Sequence, residues 1–132
     1  MVKKGRFARM DGKEYELISY QHQYYLKSTN HNDVQIGFEE TQANTKEFIK
    51  KISIDNLEDA YEVFPFAMLM GYRFSVEGVD KENSLVRLVT SNQFVQNKIA
   101  VKSYGKDEYM IELPYDDVVV EEDRIQILGF EK

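Results

Sequence analysis

The chain has 132 residues, of which 42% are hydrophobic and 30% charged, a composition that builds a folded core and does not fit disorder or low complexity. Its formal charge of −6 repels phosphate and favours basic partners, although moderate negative charge also serves solubility. The absence of cysteine excludes a disulfide framework, thiolate metal sites and a cysteine nucleophile.

A β-hairpin is predicted close to the N-terminus. Residues 7–10 and 15–18 are two short runs with strand character on either side of Asp11-Gly12. An Asp-Gly pair suits a tight turn, because such turns need positive φ angles. The sequence therefore predicts two antiparallel strands joined at this dipeptide.

A third strand is predicted over residues 24–27. It ends in a polar cluster, residues 28–33, whose side chains can bond their own backbone and so favour a turn. The secondary structure of the residues that follow, 34–45, which include Gly37 and an acidic pair, remains ambiguous.

The region after residue 45 has two competing interpretations. One is a strand over residues 48–52 followed by a helical turn capped by Ser53 or Asp55. The other is a continuous helix over residues 46–61. Pro114, at the corresponding place in the second half, lacks the amide that such a helix needs and favours the strand interpretation.

The second half predicts the same order of elements. Strands are expected over residues 72–76 and 85–89, joined by a polar loop at 77–84. Residues 94–101 fit either a short helix or an irregular strand. The remaining predicted elements are a turn at 104–107 and strand segments at 118–120 and 125–128.

Three segments of the first half recur in the same order in the second half. They are residues 7–17 as 66–76, residues 26–30 as 88–92, and residues 47–52 as 108–113. We therefore predict an internal duplication with one unit at residues 1–65 and a second at residues 66–132.

Each predicted unit resembles the SH3-like barrel. The resemblance rests on the Asp11-Gly12 hairpin, on the paired strands of Leu26 and Leu88, and on short strands with one helical turn before the last. It covers nearly the whole chain and implies a mainly β protein of two tandem SH3-like small barrels with short helical turns. Proline recognition is not carried over from the peptide-binding members of that family, because the chain has no Trp to place an aromatic groove.

The supply of chemically active side chains is small. The two histidines, His22 and His31, lie in polar loops, and a metal site would need help from Asp33. Neighbouring carboxylates on a strand point to opposite faces, and no glycine loop has phosphate-binding spacing. We therefore expect no enzymatic activity, no cofactor and no metal.

The predicted partner-binding residues are acidic side chains beside aromatic ones, a combination in which charge steers encounter and rings supply affinity. They suit a basic protein partner. These residues are Glu39, Glu40, Tyr115, Asp116, Asp117, Glu121, Glu122 and Asp123.

The N-terminal third, with its run at residues 3–15, resembles small acidic proteins of low-GC Gram-positive bacteria, some of which are immunity partners of toxins. This resemblance implies a non-enzymatic protein-binding module, an immunity-type inhibitor of a basic toxin or nuclease. One alternative is a nucleic-acid-binding SH3-like adaptor that uses the basic residues 3–9. Another is a structural component of a phage or cell-surface assembly.

No segment is long and apolar enough to cross a membrane, and the basic N-terminus is not followed by the apolar run of a signal peptide. A cytoplasmic location is therefore expected, without membrane contact. Oligomeric state does not follow from the sequence.

Overall fold

The computed structural model describes residues 2–41 and 46–130 and is mainly β, which confirms the predicted class. Its eleven strands are β1 (Gly5–Met10), β2 (Lys13–Tyr20), β3 (Gln23–Ser28), β4 (Glu39–Glu40), β5 (Phe48–Ile52), β6 (Asp59–Leu69), β7 (Tyr72–Asp80), β8 (Leu85–Thr90), β9 (Lys102–Ser103), β10 (Tyr109–Pro114) and β11 (Glu121–Gln126). Four short 3₁₀ helices connect them: η1 (His31–Ile36), η2 (Ile54–Asn56), η3 (Gln93–Asn97) and η4 (Tyr115–Asp117).

No helix in the described part of the chain has the length and apolar character needed to cross a membrane.

The chain divides into two compact units. The first unit comprises Gly5–Val63 and residues 124–130, and the second comprises residues 2–4 and Phe64–Asp123. The predicted boundary after residue 65 falls inside β6, a strand that contributes its first residues to one unit and the rest to the other.

In the first unit the strands pair antiparallel in the order β4-β5-β3-β2-β1-β6. The predicted hairpin is confirmed: Ala8 lies opposite Tyr15, and the turn residues Asp11 and Gly12 have φ angles of 53° and 76°. Two successive positive φ angles match the right-handed twist of the flanking strands. The third predicted strand is confirmed as β3.

The residues from Lys46 to Tyr61 do not form a continuous helix, so the interpretation as a strand followed by a helical turn is confirmed. Strand β5 is followed by η2, which begins at Ser53. The Ser53 hydroxyl accepts from the Asp55 backbone N–H at 3.4 Å, and the Asn56 side chain accepts from the Ser53 N–H at 3.2 Å. These two bonds satisfy donors that the helix start leaves unpaired.

The ambiguous stretch at residues 34–45 divides into several parts. Residues 34–36 complete η1, which ends at Gly37 with a φ of 102°, and Glu39–Glu40 form β4. Residues 42–45 lie outside the described residues.

In the second unit the order is β9-β10-β8-β7-β6, and β11 also pairs with β6. Ala67 lies opposite Phe74, and the turn residues Met70 and Gly71 have φ angles of 50° and 85°. Strand β7 continues to Asp80 through a register shift after Val76, so the predicted loop at 77–84 is partly strand. A β-bulge of this kind lets the strand absorb extra residues.

The last strand agrees in part with the two segments predicted for it. Residues 118–120 and 125–128 were expected to be strands; β11 runs from Glu121 to Gln126, so it includes residues 125 and 126 but none of residues 118–120. Val118 and Val120 are half-buried against the core of the second unit without joining a ladder. Pairing with β6 therefore overrides the weak strand propensity of the acidic residues in β11. Residues 94–101, left open between helix and strand, begin in η3.

The same hydrogen-bonding pattern precedes η1 and η3. The Asn30 backbone N–H donates to Ser28 Oγ at 3.0 Å, and the Asn92 N–H donates to Thr90 Oγ1 at 3.2 Å. Asn30 and Asn92 then cap their helices with their side-chain oxygens. The two units therefore match at the hairpin and at the helix cap.

Each unit has its own hydrophobic core. Leu26 and Phe38 are fully buried in the first core, and Phe74, Leu88 and Val95 are fully buried in the second. Leu26 and Leu88, which the sequence repeat pairs with each other, are both 0% exposed.

Candidate functional site

The predicted acidic residues of the second unit are all exposed. Two of them lie in η4 and three in β11. Asp123 is paired with Arg73, whose Nη2 lies 2.5 Å from its Oδ2. Within the described residues the other four form no ion pair: Asp116, Asp117, Glu121 and Glu122.

Tyr115, the aromatic residue expected to anchor a partner, has a different environment from the acidic residues. Its side chain is half-buried and packs against the core of the second unit. A ring held in the core contributes to packing there, so the apolar part of a binding surface must come from other residues.

Strand β6 supplies exposed apolar side chains next to the acidic strand. Phe64, Phe66 and Met68 alternate with the buried Pro65 and Ala67 and therefore share the outward face. Phe64 and Met68 are 41% and 49% exposed. These three side chains are called the apolar row.

Arg73 connects the apolar row to β11. Its guanidinium carbon lies 3.7 Å from the centre of the Phe66 ring, and the same group forms the ion pair with Asp123. Glu121 lies two residues from Asp123 on β11 and so shares its face, whereas Glu122 points to the opposite face. The apolar row with Glu121 and Asp123 is called the β6–β11 surface.

Glu39 and Glu40 belong to the first unit. They form the short strand β4, and both are exposed. The neighbouring aromatic, Phe38, is 1% exposed and packs on Tyr15 with ring centres 5.0 Å apart. The predicted pairing of exposed acid with exposed ring therefore does not occur at this position.

The two histidines lie apart from any cluster of ligand-type side chains. His22 is exposed in a turn, and the His31 ring packs edge-on against Phe48 with centres 5.7 Å apart. Across residues 2–41 and 46–130, no three His, Asp or Glu side chains converge in a way that could hold a metal ion.

A polar pocket of about 540 Å³ opens on the first unit. Strand β2 supplies Lys13 and Tyr15, β3 ends in Ser28, and η1 supplies Asp33, while Phe7 forms part of the wall. No local sequence pattern marks these residues as a group.

Asp33 is the most unusual residue of the polar pocket, because it is a carboxylate only 4% exposed. Ser28 Oγ donates a short hydrogen bond to its Oδ2. The Lys13 ammonium lies 3.8 Å from Oδ1, too far for a hydrogen bond. No hydrogen bond to Oδ1 is found among the described residues, so this oxygen retains acceptor capacity.

Tyr15 lines the same pocket, and its hydroxyl oxygen is buried. The residue is 6% exposed, and its oxygen has no hydrogen-bond partner within the described part of the chain. Burial raises the pKa of Tyr15 above its ordinary value of 10.0, and the charges of Asp33 and Asp11 raise it further. A buried polar atom without a partner lowers stability, so its presence calls for an explanation.

The corresponding positions of the second unit are apolar. Phe74 occupies the hairpin position of Tyr15, and Val95 occupies the position of Asp33, three residues after the capping asparagine. Thr90 replaces Ser28. The second unit has a smaller pocket of about 330 Å³ over Ser75 and Thr90, and neither Phe74 nor Val95 lines it. The second unit therefore folds without buried polar side chains at these two positions.

The raised pKa of Tyr15 predicts a specific alkaline sensitivity. The folded protein favours the neutral phenol of Tyr15. The contribution of this residue to the free energy of unfolding is therefore constant below pH 10.0 and is lost as the pH rises past that value. Tyr15→Phe should therefore lose less stability than the unsubstituted protein over that range. Thermal midpoints measured between about pH 8 and about pH 11 test this. Equal losses in the two proteins would contradict the predicted environment of Tyr15.

No curated protein and no solved structure matches the chain. One family model matches residues 2–129, which is nearly the whole sequence. The chain therefore belongs to the family described as "Uncharacterised conserved protein UCP033725".

Proposed function

We propose that this chain is a non-enzymatic protein-binding module that holds a basic partner on its β6–β11 surface. The observation that carries the proposal is the exposed apolar row beside acidic β11. Scattered exposed apolar side chains are ordinary on protein surfaces, but a row on one strand face flanked by carboxylates is typical of an interface.

The two kinds of side chain on this surface have separate effects. Phe64 and Met68 offer apolar area whose burial gives most of the affinity. Glu121 and the nearby acidic residues attract a cationic partner and raise the rate of encounter. Asp123 contributes less charge, because Arg73 neutralises it.

The fold that we propose for this module is a tandem pair of SH3-like barrels that arose by duplication. The matching hairpins and the caps at Asn30 and Asn92 support a common plan. In each unit five strands, one of them only two residues long, precede a 3₁₀ turn, η2 or η4, and one more strand follows it; a helical turn before the last strand is also the order in SH3-like barrels. Because that fold hosts many unrelated functions, it does not itself identify the partner.

The specific role that we propose is an immunity-type inhibitor that covers the cationic site of a basic toxin or nuclease. Such an inhibitor needs apolar anchors and acidic side chains on one surface and no catalytic group of its own. The β6–β11 surface meets that requirement within one unit.

Glu121→Lys and Glu122→Lys provide a matched pair for testing the surface. The two residues are neighbours on β11, carry the same charge and point to opposite faces. Each variant and the unsubstituted protein would be used as bait in a lysate of the native host at low salt, followed by mass spectrometry. We expect a basic protein that the unsubstituted protein and Glu122→Lys retain and Glu121→Lys loses.

Four outcomes would count against the proposal. Capture of no basic protein would reject a basic partner, and equal retention by both variants would reject the β6–β11 surface. Loss with Glu39→Lys/Glu40→Lys but not with Glu121→Lys would move the interface to β4. Retention on single-stranded DNA at physiological salt would favour the nucleic-acid alternative instead.

A further inference from the structure

We propose that the polar pocket of the first unit is a binding site for a primary ammonium group, held between the Asp33 carboxylate and the Tyr15 hydroxyl. This site is separate from the β6–β11 surface and does not depend on the function proposed above. Its ligand is either a free amine or the side chain of a lysine.

Two buried residues of the polar pocket have unused hydrogen-bonding capacity. Tyr15 and Asp33 are both more than nine-tenths buried, and both line the polar pocket. Within the described residues, neither the Tyr15 hydroxyl nor Asp33 Oδ1 has a hydrogen bond. A buried group of this kind costs stability unless something pairs with it.

The second unit shows that the fold does not require these groups. At the corresponding positions it has Phe74 and Val95, both fully buried in its core. The Ser28 hydroxyl is explained by the turn, because Thr90 accepts the same backbone bond. Asp33 accepts from Ser28 and has Lys13 nearby, but the second unit closes with a valine at this position, and the Tyr15 hydroxyl has no hydrogen bond within the described residues. These two observations point to a ligand.

The charges of the pocket select the ligand's chemistry. Three carboxylates and two ammonium groups line it, so it favours a cation. Lys27 is already engaged by Glu16 at 4.0 Å and Glu47 at 3.5 Å. An ammonium has three N–H donors and no acceptor, so it has enough donors for both Asp33 Oδ1 and the Tyr15 oxygen.

Lys13 already places an ammonium near this position. Its Nζ lies 3.8 Å from Asp33 Oδ1, and its side chain is 61% exposed. We infer that Lys13 competes weakly with the ligand, since it is too far for a hydrogen bond and is mostly solvated. Removing its charge should therefore tighten binding.

Three probes separate the proposed interaction from simple charge attraction. They are n-butylammonium, Nα-acetyl-lysine methylamide and n-butyltrimethylammonium, which is a cation without N–H donors. Each is titrated into the ¹⁵N-labelled full chain and followed by two-dimensional NMR. We expect saturable shifts around Tyr15 and Asp33 with one or both primary amines and none with the quaternary cation. The better of the two amines identifies the source, free amine or lysine side chain.

Variants test the named groups. Tyr15→Phe should weaken amine binding severalfold and Asp33→Asn by tenfold or more, about the worth of a neutral and a charged hydrogen bond. Lys13→Met should strengthen it, an effect that a damaged pocket would not produce. Signals of Ser75 and Thr90, in the smaller pocket of the second unit, serve as an internal control and should not move.

Several results would overturn the proposal. These are the absence of saturable shifts with either amine, equal binding of the quaternary cation, and unchanged affinity in Tyr15→Phe. If Asp33→Asn does not fold, the other two variants still test the site, because amine binding is expected to weaken in Tyr15→Phe and to strengthen in Lys13→Met. Weaker binding in Lys13→Met would reject the site.

Discussion

Phe74→Ala is expected to lower the free energy of unfolding by about 3–5 kcal/mol. The Phe74 side chain is 0% exposed and lies in the core of the second unit, so its removal leaves a large cavity among packed side chains. Single domains are stable by only about 5–15 kcal/mol, so the loss is a large fraction of the total. Urea unfolding followed by far-UV circular dichroism measures it.

Phe94→Ala is the matched control for this prediction. Phe94 lies in the same unit but is 60% exposed, so its replacement should change stability by about 0.5 kcal/mol or less. A cost for Phe94→Ala equal to that for Phe74→Ala would contradict the described core.

Leu26→Ala and Leu88→Ala form the second prediction with a large effect. Both side chains are 0% exposed, and they occupy corresponding strands, β3 and β8. Each substitution should cost about 2–5 kcal/mol, because each removes a buried leucine and leaves a cavity. Val119→Ala, at an 80% exposed position, should be nearly neutral. A cost below about 1 kcal/mol at either leucine would show that the two strands do not hold equivalent core positions.

Much of the strand order could be predicted, because local signals agreed with the final structure. Asp11-Gly12 has the chemistry of a tight hairpin turn, and Pro114 argued against a long helix in the matching region. The position of β11 could not be predicted in this way. Three consecutive valines have higher strand propensity than Glu121-Glu122-Asp123, yet tertiary pairing with β6 places the strand on the acidic residues.

The acidic half of the β6–β11 surface was predicted, but its apolar half was not. Phe64, Phe66 and Met68 alternate with Pro65 and Ala67, and that alternation was a usable signal once β6 was known to be a strand. Tyr115 was expected to be the anchor because it neighbours the acids in sequence. Sequence adjacency does not show whether an aromatic side chain faces the core or the solvent.

The polar pocket depends on residues far apart in sequence, so no local pattern shows it. A usable signal nevertheless lay in the repeat, since aligning the halves sets Tyr15 against Phe74 and Asp33 against Val95. Such a polar-for-apolar difference at buried positions matters only when burial is known. In the structure Tyr15 is 6% exposed and Asp33 is 4% exposed.

The central claim is that the two units share one arrangement of strands and turns, and that the first unit does not need the buried polar groups of Tyr15 and Asp33 in order to fold. The double variant Tyr15→Phe/Asp33→Val, which gives the first unit the residues of the second, tests this most directly by its free energy of unfolding in urea. We predict a value unchanged within about 1 kcal/mol or higher, because apolar groups of similar shape can replace buried polar ones without loss. A fall of more than about 3 kcal/mol would contradict the claim, since it would show that the fold itself depends on these groups.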